Sequence, residues 1–229
     1  MQGSVTLTIN PDGTVAVAYE NGGTVARRET TLAAVAELFY RAVQDTAKEE
    51  KWFSSPVLPP GTVAYRESQR GDRVWLALEW GPAVLPFTYF NTVYQAVPYP
   101  RLVFDFGLRR HYEGFTVSAV YLAAVAGAGP LRPGTRLYRY PYSHVAQDTR
   151  MCLGTAPLPL VRELADLAVL PRLILTTPNE DHHYGSWANL SGKPLRELLQ
   201  EVDGLEAFPG EWLAPMDVTL GEWLNRRYV

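Results

Sequence analysis

The run RVWLALEW, residues 73–80, constrains this chain more than any other stretch, because its hydrophobic residues recur with a period of two. Val74, Leu76, Leu78 and Trp80 alternate with Arg73, Trp75, Ala77 and Glu79, which is the pattern of a β-strand with one face buried. Such a strand needs hydrogen-bonded neighbours, and the sequence around it offers them. TVAYRES (62–68) precedes it across the polar turn Gln69 to Asp72 and reads as its hairpin partner. LVFDF (102–106) and FTVSAVYLAAV (115–125) follow, as a second antiparallel pair across Gly107 to Gly114. The expectation is an antiparallel meander of about four strands. Residues 81–100 read as a loop-rich stretch, but Phe87, Tyr89, Phe90 and Tyr94 make it one that packs.

The flanks carry different periods. SVTLTI (4–9) and VAVAY (15–19), joined by Asn10, Pro11, Asp12 and Gly13, have the residue types of a tight hairpin. After Thr30 or Thr31 as N-cap, Leu32, Val35, Leu38, Phe39, Ala42 and Val43 recur at helical spacing, enough for about five turns. The Pro/Gly-rich stretch SSPVLPPG (54–61) then leads to the strands. Towards the C-terminus, Leu160, Leu164 and Leu167 behind Pro159, and Leu195, Leu198, Leu199 and Val202 behind Pro194, predict two short helices. Thr219 and Glu222 predict a capping box ahead of Trp223 and Leu224. The class is α+β: one core domain over residues 26–229, preceded by a β-hairpin extension over 1–25.

Several function classes are set aside on composition. A net charge of −3 and a pI near 5.8 lack the basic excess of a nucleic-acid surface, so no nucleic-acid partner is expected. No run reaches the ~18 uninterrupted apolar residues of a membrane span, and MQGSVTLTINPDG lacks the regions of a signal peptide. A cytoplasmic protein without a membrane partner is therefore expected. A single cysteine forms no internal disulfide, in keeping with a reducing compartment.

That cysteine, Cys152, concentrates the chemistry. It lies in YPYSHVAQDTRMCLGT (140–155), with His144 and Arg150 close to it in sequence. A thiolate is the strongest nucleophile among ordinary side chains, whereas a lone cysteine is also often a small buried hydrophobe. Zinc is not expected, because His111, His144, His182 and His183 offer no short chelating pair beyond two adjacent histidines. Phosphate-loop and dinucleotide motifs are absent.

The order of features around Cys152 is informative. An edge-like segment, TRLYRY (135–140), is followed by a turn containing Pro141, a polar loop with Asp148, and then Cys152, Leu153 and Gly154. This resembles the active-site loop of ubiquitin-conjugating enzymes, in which a His-Pro-Asn triplet ends eight residues before the cysteine. Here the triplet is Tyr142, Ser143 and His144, and the family's Asp-Gly is Asp148 and Thr149. The runs RLVFDF, FTVSAVYLAAV, GTRLYRYPY and MCLGTAPLP, within residues 101–159, look more specifically like the bacterial family D of ubiquitin-conjugating-like proteins, also called PRTRC system protein B.

The resemblance implies a ubiquitin-conjugating (UBC-like) fold. It also implies a thioester carrier on Cys152, acting between a ThiF-related activating enzyme and a ubiquitin-like protein, with an amine as final acceptor. His144 would take the asparagine's place as a donor to the oxyanion. Asp181 or His182 would orient the amine, and Tyr142 and Leu153 would wall the site. No bound cofactor is implied, since ATP is consumed by the activating enzyme. The rival reading is a catalytically silent relative that binds the same partners as a scaffold, which the altered triplet favours and the retained cysteine disfavours.

Overall fold

The computed structural model describes residues 4–21, 24–46, 54–154 and 158–225, and the chain divides into two compact units, residues 1–54 and 55–229. In the first unit β1 (Ser4–Ile9), β2 (Thr14–Asn21) and β3 (Thr24–Thr31) form an antiparallel sheet in that order, followed by α1 (Leu32–Thr46). The β1–β2 turn closes through Asn10 N to Thr14 O (2.8 Å) and Gly13 N to Asn10 O (3.0 Å), with Gly13 at φ 82°. The helix begins where Thr31 Oγ1 accepts a hydrogen bond from Ala34 N (3.2 Å), which makes Thr31 the N-cap.

The sequence expectation placed the domain boundary at 25/26, with the helix opening the second domain; the compact units meet at 54/55 instead. The reason is β3. Its run TVARRETT carries Arg27, Arg28 and Glu29 and has little apolar signal, as an exposed edge strand tolerates. It pairs with β2 along its whole length, from Thr14↔Thr31 to Asn21↔Thr24, and leads directly into α1.

The second unit contains β4 (Thr62–Glu67), β5 (Arg73–Trp80), β6 (Ala83–Tyr89), β7 (Thr92–Tyr99), β8 (Arg101–His111), β9 (Gly114–Val125), β10 (Arg136–Tyr138) and β11 (Pro215–Thr219). A six-stranded antiparallel sheet has the order β11-β10-β9-β8-β5-β4, and β6 and β7 form a separate hairpin. The helical pieces are the tight turn Leu164–Val169, α2 (Leu170–Leu175), α3 (Leu195–Val202) and α4 (Leu220–Asn225). The molecule is thus α+β, with mostly antiparallel sheets. No helix among the described residues is long and apolar enough to cross a membrane.

Two strand features differ from the sequence reading. Residues 81–100 are a hairpin rather than loop: Leu85, Phe87 and Tyr89 alternate inward, but Pro86 interrupts the pattern at a bulge between Leu85 and Phe87. The expected loop Gly107 to Gly114 is mostly strand, because Gly107 lies inside β8. There the Trp75 ring occupies the space of a side chain, and a Cβ at 107 would stand 2.8 Å from Trp75 Cη2.

Both faces of the six-stranded sheet are covered. Val74, Leu76, Leu78, Phe104, Phe106 and Leu122 join one core cluster with Leu167, Leu170, Leu198 and Leu199 of the helical segments. On the opposite face the small side chains Ala77 and Ala123 make room for Leu137, Met216, Leu220 and Trp223. The C-terminal segment supplies much of this second cover, and its Trp223 also reaches the loop at Thr149.

Candidate functional site

The loop around Cys152 is anchored first through Tyr142. Its ring is fully buried among Phe87 and Tyr99, each with its centroid 5.3 Å away, and its hydroxyl donates to Pro98 O (2.6 Å). Tyr142 was expected as a wall residue of the site; it is core, and it lines neither cleft described below. Tyr142→Phe is expected to lower the unfolding free energy by about 1 kcal/mol, the net worth of a buried hydrogen bond. Urea denaturation measures this, and the alkylation rate of Cys152 should stay unchanged.

Between His144 and Cys152 the backbone forms a miniature hairpin. Cys152 N donates to His144 O (2.7 Å), Val145 pairs with Met151, and Ala146 N donates to Arg150 O (2.8 Å). The turn is Gln147, Asp148 and Thr149, closed by Thr149 N to Ala146 O (2.8 Å) and by Arg150 N to Asp148 Oδ1 (2.9 Å). The interval between the two residues therefore sets His144 and Cys152 opposite each other.

Thr149 sits at φ 69°, the position in such a turn that glycine prefers and a β-branched residue avoids. The surroundings hold it there. Thr149 O accepts from Leu122 N (2.9 Å), and its buried Oγ1 accepts from Trp223 Nε1 (2.9 Å). Met151 N adds a bond to Val120 O (2.8 Å), which stitches the loop onto β9.

His144 is also in the left-handed region, at φ 68°, where Asn, Asp and His are the best tolerated residues after glycine. Its N–H donates to His182 O (2.7 Å), and its Nε2 accepts from Glu180 N (3.3 Å). Accepting at Nε2 requires a neutral ring with its hydrogen on Nδ1. Burial, and next the neighbouring His182, hold its pKa below the ordinary 6.5. The sign follows: below pH ~6.5 the unfolded chain takes up a proton that the folded site resists, so stability present above that pH erodes as pH falls. His144→Asn is expected to weaken this dependence, as read from urea midpoints at about pH 7.5 and about pH 5.5.

Residues 177–183 are fastened to the same loop. Ser143 Oγ donates to Asn179 Oδ1 (3.2 Å), and Asn179 Nδ2 donates to Thr177 O (2.7 Å). Asn179 also bridges to the β6–β7 hairpin through its N to Thr88 O (2.8 Å) and Phe90 N to its O (2.9 Å). Tyr89 OH donates to Asp181 Oδ1 (2.8 Å). The hairpin that the sequence hid in a loop is thus what holds the NEDHH segment beside Cys152.

Cys152 is half-buried and lines two open clefts. One, of about 380 Å³, is mixed in character and includes Asp148, Arg150 and His183 beside Ala119 and Met151. The other, of about 280 Å³, is apolar and includes His144, Leu158, Leu173 and Ile174. Leu153 lines both.

Asp181 and His182 line neither cleft: the carboxylate is engaged by Tyr89, and His182 contributes its carbonyl to His144. His183 is the member of the pair that reaches the cleft wall, which only its adjacency to His182 could have suggested. Among the described residues no three of His, Cys, Asp and Glu converge to hold a metal ion. No family model matches the chain, and no curated protein or solved structure matches it either.

Proposed function

We propose that this chain is a ubiquitin-conjugating-like carrier, which takes a ubiquitin-like protein from a ThiF-related activating enzyme as a thioester on Cys152 and passes it to an amine. The observation that carries the reading is the placement of the lone thiol. Cys152 is not fully packed away as a small hydrophobe but is partly exposed between two clefts, with His144 O accepting its backbone N–H. The strands β4, β5, β8 and β9 lie side by side in one antiparallel sheet, with the β6–β7 hairpin inserted between β5 and β8, and this order supports the reading.

In the first step the Cys152 thiolate attacks the thioester carbonyl carbon. A new C–S bond forms, and the activating enzyme's thiolate leaves. In the second an amine attacks the same carbon, the Cys152 thiolate departs, and the ammonium proton passes to a base or to solvent. Both steps develop charge on the carbonyl oxygen, where the Nδ1–H of His144 is the nearest donor in kind to the family's asparagine. The apolar cleft suits the carried protein's tail. The mixed cleft, with Asp148 and His183, suits the incoming amine, so these two take the orienting role expected of Asp181 and His182. Those last two act instead by positioning His144 and its supporting segment.

Mixing the chain with its ubiquitin-like partner, the activating enzyme and ATP is expected to yield an adduct on a non-reducing gel that dithiothreitol removes. If the partners charge each other while Cys152 stays free, the chain is the silent scaffold.

A further inference from the structure

The turn Gln147, Asp148 and Thr149 is a three-residue hairpin loop whose last member is left-handed, the form that opens a bulge on the returning arm. That conformation sets the register: His144 stands opposite Cys152, Val145 opposite Met151 and Ala146 opposite Arg150. Glycine takes such a position freely, whereas a β-branched threonine is strained in it.

The register decides what the thiol meets. Val145 and Met151 are buried in the core beneath the sheet, and Cys152, the next residue along, lines the two clefts. Because side chains alternate, a slip of one residue on the returning arm would turn Cys152 to the core and Met151 to the clefts. The outgoing arm does not follow such a slip, since His144 N is tied to His182 O (2.7 Å) and Tyr142 OH to Pro98 O (2.6 Å).

The backbone bonds that join the loop to β9 would find equivalents one residue along. The bond from Trp223 Nε1 to Thr149 Oγ1 (2.9 Å) would not, because it engages one side chain. Both partners are buried, at 4% and 5% exposure, and an indole N–H donates without accepting. Trp223 is itself held firmly. Its helix α4 opens with Glu222 Oε2 accepting from Thr219 N (2.8 Å) and closes with Leu224 O accepting from Arg66 Nη1 (2.9 Å), while Leu220 and Leu224 pack on the sheet.

We infer that Trp223 is a positioning residue for Cys152: its N–H keeps Thr149 left-handed and so selects the register that turns the sulfur to the clefts. It acts through Thr149 and touches no reacting atom. Its purpose rests on the carrier reading, whereas the geometry belongs to this chain alone.

The test is the rate at which iodoacetamide alkylates Cys152 in the full chain, read by intact mass, with circular dichroism as a check on folding. A net hydrogen bond biases the two registers by about tenfold, and the strain on a left-handed β-branched residue is of the same order. Without the bond the registers become about equally populated. Trp223→Phe and Thr149→Val are therefore each expected to slow alkylation about twofold. Thr149→Gly is expected to restore the wild-type rate even in the Trp223→Phe background, because glycine holds the turn unaided. A merely structural tryptophan would not show that rescue. The Thr149 variants keep Trp223, so they carry the test if Trp223→Phe misfolds. Folded single variants that alkylate at the wild-type rate overturn the inference, and so does a double variant that stays slow. Alkylation needs neither partner protein, so a chain that behaves as expected here yet forms no thioester refutes the carrier reading and leaves this inference standing.

Discussion

Cys152→Ala is expected to abolish the thiol-sensitive adduct completely while leaving the protein folded. The loss is total because the sulfur is the atom that forms the bond, and no second cysteine exists in the chain to replace it. Stability should change by less than about 1 kcal/mol, since the side chain is only half-buried and the substitution is small. The backbone bond from residue 152 to His144 O is independent of the side chain, so the miniature hairpin persists. A gel for the adduct and a urea curve for the fold separate the chemical effect from a structural one. An alanine variant that still formed the adduct would assign the bond elsewhere.

Gly114→Ala carries the largest expected effect on stability, about 3 kcal/mol or more. Gly114 opens β9 at φ 143°, a region of backbone space that is essentially glycine's alone. A Cβ there would lie 2.3 Å from Val161 O and 2.8 Å from Arg162 Cα. Both are backbone atoms, so no rotamer change relieves the clash. Phe115 N to Val161 O (2.7 Å) and Val161 N to Phe115 O (3.0 Å) fix the chain just beyond the Cys152 loop at this point. The comparison is Gly13→Ala: at φ 82° with nothing within 4 Å of a new Cβ, it should cost only about 1 kcal/mol of backbone strain. Urea denaturation of both variants tests the pair, and equal losses would contradict the account.

The meander was legible because β5 alternates cleanly and β8 and β9 are rich in Val, Phe and Leu, and α1 because its apolar spacing is regular. What the sequence hid has specific causes. Pro86 masked the β6 alternation, and the charges of β3 masked an edge strand that draws α1 into the first unit. Gly107 reads as a turn residue, yet its missing side chain is where Trp75 lies.

The candidate site divides along similar lines. Cys152 stood out by its rarity, and its interval from His144 by the resemblance it carries. That this interval is a hairpin setting the two residues opposite each other depends on pairing no local pattern displays. Thr149 stands where the family has glycine, but its support by Trp223, 74 residues later, is a tertiary contact that no local pattern displays. Tyr142 was misplaced because an aromatic beside a reactive loop looks alike in sequence whether it faces the cleft or the core.

The most direct test of the carrier mechanism is the intact mass of Cys152→Ser after incubation with the ubiquitin-like protein, its activating enzyme and ATP. The account predicts a gain equal to the partner's mass less one water, stable to dithiothreitol and mapping to residue 152, beside a thiol-labile adduct in the wild type and none in Cys152→Ala. A wild-type chain that gains no mass while its partners charge each other would contradict it.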